Sequence, residues 1–174
     1  MFESVVGNQI TIGVFIGLLL VAAVSDVISY KIPNVVVIAV LLFYPVHVLV
    51  SPVRVDWVLG LAVFCVSLGI GFGLFATGAF GAGDAKLLGA VMLWAGPTLA
   101  PLALIVCALA GGILALVMLS KMRFLIANVL QFLGNERLGD AFLARQMPYG
   151  VPIALGGFSI AWALLTTYGL NGLT

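Results

Sequence analysis

The sequence predicts an all-α polytopic membrane protein: a bundle of six transmembrane helices, with an amphipathic interfacial helix between spans five and six, in one domain covering residues 1–174. Three observations predict it. The chain is 64% hydrophobic and 7% charged, its mean hydropathy is +1.31, and its few cations are unevenly placed between apolar runs. A soluble domain carries roughly 25% charged residues; 13 charged side chains in 174 residues are too few to cover a water-soluble globule. A soluble enzyme and a disordered tail are excluded. The net charge of +1 supplies no basic field for phosphates, which excludes a nucleic-acid binder.

The first apolar segment covers about 9–28. It is read as a retained helix, because residues 1–10 hold Glu3 and no Lys or Arg, so the basic region of a cleaved targeting peptide is missing. The second covers about 34–50 and contains Pro45; a short polar link with Arg54 and Asp56 follows. The third is about 57–76, where Gly69 and Gly73 form a GxxxG whose ordinary meaning is close helix packing. A glycine-rich joint, 77–83, leads into a fourth segment of about 84–95, broken by Gly96-Pro97. This one is short for a bilayer, which needs about 20 residues, so it is tilted, buried among its neighbours, or continued past Pro97. The fifth segment is about 98–120 and the sixth about 148–170. The alternative is five spans, with 84–120 as one broken helix.

Between the last two segments, Met122, Leu125, Ile126, Val129, Leu130 and Leu133 recur at spacings of three and four, with Lys121, Arg123, Asn128 and Gln131 between them. An amphipathic helix lying at the lipid surface fits this pattern. Gly134 and Gly139 bracket a charged turn, Asn135-Glu136-Arg137, read as a solvated loop.

Charge placement decides the span count. With six spans, the links after spans one, three and five share one side and hold Lys31, Lys86, Lys121, Arg123, Arg137 and Arg145; the other side holds Arg54. Cytoplasmic loops carry the excess of Lys and Arg, so both termini are expected outside the cytoplasm. Five spans would move Lys121 to Arg145 to the other face and spoil the asymmetry.

Cys65 and Cys107 stand singly in apolar runs, with no CxxC pair, and read as small buried hydrophobes. No thiolate metal site is expected, and the single histidine, His47, excludes an HExxH metalloprotease. His47 is expected near the membrane face opposite the acids discussed next, in a packing role. Trp57, Trp94, Trp162 and Tyr168 read as core or interface anchors.

Of the six acids, Glu3, Asp56, Glu136 and Asp140 fall in polar ends or loops. Asp26 and Asp84 do not. Asp26 follows the apolar run 18–24, and Asp84 heads an apolar span. An ionisable group at membrane depth costs about 2.5–3.5 kcal/mol on insertion scales and persists where it lines a site. Span parity puts both on the cytoplasmic side at similar depth. Two carboxyls brought close at a low-dielectric boundary share one proton and titrate as a unit. One can then deprotonate a water while the other donates to a peptide carbonyl. From the residues alone, catalysis, proton transport and a structural ion pair (Asp26 with Lys31, Asp84 with Lys86) all stand.

Three motifs accompany the acids. Gly81-Ala82-Gly83-Asp84 is a GxGD that continues through Lys86 to Gly89; glycines there permit positive φ and close approach of another chain. Asp26 leads into Lys31-Ile32-Pro33-Asn34. Near the end comes Met147-Pro148-Tyr149-Gly150. With these blocks, their order and the six spans, nearly the whole chain resembles the type IV prepilin peptidases, which are GxGD-type aspartic membrane peptidases.

The resemblance implies catalytic roles for Asp26 and Asp84, and a site-shaping or substrate-binding role for Lys31, Pro33, Asn34, Gly81, Gly83, Lys86, Pro148, Tyr149 and Gly150. Lys31 and Lys86 are equally well explained as positive-inside anchors, and Asn34 either caps the second helix or bonds near the acids. No metal and no organic cofactor are implied. The implied partner is a prepilin, a hydrophobic helix with a short basic leader cut after glycine, held in the lipid bilayer of the bacterial inner membrane; no nucleic acid is involved. Longer members carry a cytoplasmic insert with paired CxxC motifs and methylate the new amino terminus. This chain has neither, and resembles the short form associated with tight-adherence (Flp-type) pili; archaeal preflagellin peptidases are related.

Overall fold

The computed structural model describes residues 2–171 apart from Ala79, Leu133, 135–142 and 144–146. Among the described residues it holds six helices and no strand: α1 (Phe2–Ser29), α2 (Asn34–Val50), α3 (Trp57–Ala76), α4 (Ala82–Leu119), α5 (Met122–Phe132) and α6 (Gly150–Asn171). Four contain stretches long and apolar enough to cross a membrane, Val6–Ser29, Trp57–Ala76, Ala82–Leu119 and Gly150–Thr167; Asn34–Val50 is a shorter apolar helix. The charged turn Asn135-Glu136-Arg137, with Asp140 and Arg145, lies outside the described residues, as do Leu133 of the amphipathic stripe and the side chains of Glu3, Arg123, Leu130 and Tyr168.

Local chemistry sets the helix ends. α1 stops at Tyr30, which takes the left-handed region (φ 51) and returns its N–H to the Asp26 carbonyl at 2.8 Å. The Ser25 hydroxyl donates to the Lys31 carbonyl at 2.8 Å, tying the link to the last turn of α1. Pro33, extended at φ −62 and ψ 131, precedes α2; its fixed φ and missing N–H cost nothing at a helix start. Asp56 caps α3 by accepting the Leu59 N–H at 3.1 Å. That gives a second purpose to an acid expected only as solvated surface.

α4 is continuous by its hydrogen bonds but is not one straight rod. Gly96 sits at φ 54, ψ −170, a region open in practice only to glycine, and the contacts on either side run in opposite senses. Before it, Ala85 lies against Gly71, Gly89 against Phe64 and Leu68, and Leu93 against Gly60, so this arm is antiparallel to α3. After it, Ala103 and Cys107 lie against Gly156 and Gly111 against Pro152, antiparallel to α6. α6 in turn runs antiparallel to α1, with Gly150 at Asp26 and Gly157 at Leu19. The chain therefore doubles back at Gly96-Pro97. The first arm forms the centre of the molecule, with Asp84, Ala85 and every residue from Leu87 to Ala95 buried. Of the three accounts offered for a short fourth segment, burial among neighbours and continuation past Pro97 with a kink both describe what is seen; backbone enclosed by protein has no need to match the lipid thickness.

The GxxxG expectation is corrected. A Cβ built on Gly69 or Gly73 would meet nothing within 4 Å, whereas one on Gly71 would come within 3.0 Å of Ala85 Cβ. The α3 face that meets α4 carries Gly60, Phe64, Leu68 and Gly71, and Gly69 and Gly73 point away from it.

At the end of the bundle remote from Asp26 and Asp84, aromatic rings fill the space between α1, α2 and α4. Trp94 stacks on Phe15 (centroids 4.3 Å apart) and on His47 (5.0 Å), and its indole N–H donates to the Val40 carbonyl at 3.0 Å. His47 is buried, with Nδ1 2.9 Å from Asn8 Oδ1. The packing role expected for His47 and the core role for Trp94 hold, while Trp57 and Trp162 are exposed. Cys107 is half-buried, but Cys65 is exposed, against the expectation of burial, because it lies on the outer side of α3. In α5, Met122, Phe124, Leu125 and Val129 are exposed and Ala127 is buried.

Candidate active site

Two acids 58 positions apart in sequence face one cavity. Asp26, Tyr30, Lys31 and Ile32, from the end of α1 and the link behind it, line it on one side. Gly81, Ala82, Gly83 and Asp84, from the start of α4, line the other, around about 170 Å³. Both aspartates are buried.

Each carboxylate is positioned by a backbone amide. Asp26 Oδ2 accepts the Gly150 N–H at 2.7 Å, a bond joining α1 to the first residue of α6. Charge-assisted bonds fall in this short range, and an unpaired N–H at a helix start is a natural donor. Asp84 stands at the third helical position of α4, and its Oδ2 accepts the Gly81 N–H at 3.1 Å. The GxGD turn thus holds its own aspartate by a cap. Among the described residues Asp84 Oδ1 is buried without a hydrogen-bond partner.

The glycines serve close approach here, and not positive φ. Gly81 lies at φ −79, and among the described glycines only Gly78, Gly96 and Gly134 have positive φ. A Cβ on Gly81 would fall 2.6 Å from Asp84 Oδ2, one on Gly83 3.3 Å from Ile32 Cβ, and one on Gly150 2.9 Å from both Asp26 Cβ and Oδ2. Real Cβ atoms do not pack at 2.6 or 2.9 Å, so at Gly81 and Gly150 a side chain would push the aspartate aside.

The lysines do not neutralise the acids. Among the described residues no ion pair joins Lys31 or Lys86 to either aspartate, so the structural ion-pair reading is not what the geometry supports. Lys31 is exposed on the cavity wall. Lys86 Nζ donates instead to Asn34 Oδ1 at 3.1 Å, bridging α4 to α2. This also corrects the capping role weighed for Asn34: it is the first helical residue of α2, Pro33 occupies the cap position without a side-chain bond, and the Asn34 amide is used by Lys86. Pro33 is exposed, and its carbonyl accepts the Val36 N–H at 3.0 Å.

Pro148 is buried and Tyr149 half-buried. The Tyr149 ring lies against Phe80, centroids 5.0 Å apart, so this block braces the turn ahead of the GxGD from the α6 side. Sequence reasoning missed Tyr30, Ile32 and Ala82 as cavity residues. For Tyr30 helical spacing could not have been the signal, because it lies past the end of α1 at φ 51. Burial, and then the neighbouring Asp26 carboxylate, push the Tyr30 phenol above its ordinary value, so it keeps its proton. No group of three or more His, Cys, Asp or Glu that could hold a metal converges among the described residues.

No curated protein and no solved structure matches the chain. Residues 13–116 match the family model described as the Type IV leader peptidase family. That stretch includes every residue lining the shared cavity and stops short of the Pro148-Tyr149-Gly150 block. With its long apolar helices and two aspartates brought to one cavity, this chain is a membrane protein belonging to the Type IV leader peptidase family.

Proposed function

We propose that the chain is an aspartic endopeptidase that removes the basic leader from Flp-type prepilins at the cytoplasmic face of the bacterial inner membrane. The observation that carries this is the convergence of Asp26 and Asp84 on one small cavity in a leader peptidase family member.

In this reading Asp26, its Oδ2 already accepting the short Gly150 N–H bond, is the carboxylate that takes a proton from the attacking water. Asp84 carries the shared proton on Oδ1, the oxygen without a protein partner, and donates it to the scissile carbonyl as the tetrahedral intermediate forms. The proton gained by Asp26 then passes to the leaving amine as the C–N bond breaks, and Asp84 takes back a proton from the diol hydroxyl that becomes the new carbonyl. Gly81, Gly83 and Gly150 keep the carboxyls close to the cavity by leaving no side chain in the way. Lys31, Pro33, Asn34, Lys86, Pro148 and Tyr149 shape its surroundings.

The helices are read as six spans, counting the two arms of α4 separately, with both termini extracytoplasmic and α5 lying along the cytoplasmic lipid surface. A membrane-held substrate then presents its leader junction at the depth of the aspartates. Two carboxyls and water suffice for the chemistry. The chain has no CxxC, and amino-terminal methylation is not expected of it.

The test uses the purified protein in lipid with a Flp-type precursor, followed by sequencing of the new amino terminus. Asp26→Asn and Asp84→Asn should each abolish cleavage while the protein still accumulates in the membrane. Full processing by either variant refutes the assignment. Ion flux across vesicles without precursor cleavage would favour a transporter instead.

A further inference from the structure

α1 packs on α2, α3 on α4 and α4 on α6, but α2 and α3 make no extended contact. Both lie against the first arm of α4 and meet each other through Tyr44, which rests on Gly60; on either side of that contact a cleft opens between them. Two hollows mark it. One, of about 440 Å³, is lined by Val37, Ile38 and Leu41 of α2 and by Phe64, Leu68 and Phe72 of α3. The other, of about 360 Å³, continues it toward the far end between Tyr44, Val48 and Leu49 of α2 and Trp57 and Leu61 of α3. On each helix the lining residues recur at three- and four-residue steps over 15 positions, so the cleft follows one helix face for about 22 Å. That length seats about four turns of another helix.

We infer that this cleft binds the transmembrane helix of the substrate, with α2 and α3 as its walls. The inference rests on the peptidase reading above. Its first support is continuity. The cleft is apolar along its length and becomes polar only at one end, at Asn34 and Lys86. Lys86 is two residues beyond Asp84, and Asn34 two beyond Ile32, both of which line the aspartate cavity. A helix lying in the cleft therefore ends beside the two turns that carry the cavity residues.

The second support is size. The aspartate cavity, at about 170 Å³, accepts a short extended stretch of backbone and no helix. The substrate must be helical in the cleft and unwound at the dyad, and unwound backbone at membrane depth needs protein partners. Lys86 carries three N–H donors and gives one to Asn34, and Asn34 carries an amide NH₂. The polar end of the cleft thus offers donors to carbonyls at the point where the helix gives way to extended chain. Lipid chains or a second copy of this protein are the competing occupants.

The experiment uses the full chain in lipid nanodiscs. A photo-crosslinking residue replaces Ile38 or Leu61, one in each half of the cleft, or Leu109 on the second arm of α4 as control; all three side chains are well exposed, so folding is not at issue. With the Asp84→Asn change trapping uncut precursor, crosslinks to the precursor's apolar helix should be at least tenfold more abundant from positions 38 and 61 than from 109. Separately, Ile38→Trp and Leu61→Trp should lower kcat/KM for the membrane precursor at least tenfold relative to kcat/KM for a short soluble peptide holding the same scissile bond. Equal crosslinking from Leu109, crosslinks to lipid or to a second copy alone, or an unaltered precursor-to-peptide ratio overturns the inference and leaves the peptidase reading standing. If the unsubstituted protein cuts neither substrate, both fall.

Discussion

Replacing Gly150 by alanine tests the site through an atom that takes no part in the chemistry. The added Cβ would lie 2.9 Å from Asp26 Cβ and Oδ2 and 3.1 Å from Cγ. Carbon atoms pack at about 3.5–4.0 Å, so α6 and the Asp26 side chain must separate by roughly 0.6–1.1 Å. Neither partner yields easily: Asp26 is in the last turns of a long helix and Gly150 begins another, backed by buried Pro152 and Ile153. The separation stretches the 2.7 Å bond from the Gly150 N–H to Asp26 Oδ2. A hydrogen bond to a charged group contributes about 1.5–3 kcal/mol, which converts to a rate loss of about 10- to 100-fold. A displacement of about 1 Å at a reacting group costs a similar factor, on the order of 10²-fold. The expected result for Gly150→Ala is therefore a fall of about 10- to 100-fold in kcat on the precursor, with normal accumulation in the membrane. Gly17→Ala is the control, because a Cβ there meets nothing within 4 Å, and it should cleave normally. If Gly150→Ala retained activity within about threefold of the parent, the idea that close approach of α6 positions Asp26 would be wrong.

Two further outcomes follow from the packing. Gly96→Ala forces a side chain into φ 54, ψ −170, at a cost on the order of 1–3 kcal/mol. It should lower the midpoint of thermal unfolding in detergent; an unchanged midpoint would show that the reversal in α4 does not depend on that backbone conformation. His47→Ala removes a buried ring stacked on Trp94 and leaves Asn8 without its imidazole partner, costing about 2–4 kcal/mol by analogy with large-to-small core changes. Because His47 sits at the end remote from the aspartates, kcat of the folded fraction should be unaltered, and a specific loss of kcat with intact stability would contradict the two-ended layout.

Much of the site was legible before any fold was known. Asp26 and Asp84 stand out because an acid inside an apolar run carries a penalty that has to be justified, and cation counting put both on one side. The convergence of these two with Gly81, Gly83 and Lys31 agrees with that reading. Other residues followed rules the sequence does not display. Asn34 and Lys86 were each assigned near the acids, yet they bond to each other, 52 positions apart. Tyr30 reached the cavity wall because the α1 helix ends in a left-handed residue, a conformation that a tyrosine seldom adopts and no pattern announces.

Membrane residence, helical class and the odd placement of two carboxyls were determined by the sequence alone, because the transfer of each segment between water and lipid depends on that segment's own side chains. Which faces meet was decided only by the tertiary structure. Helices that are apolar on all sides carry no stripe to mark an inward face, and association within lipid rests on shape and local contact, since burying one apolar surface against another gains little over lipid. Hence Gly71 and not Gly69 or Gly73 meets α4, the first arm of α4 runs through the centre, and α2 and α3 make no extended contact with each other.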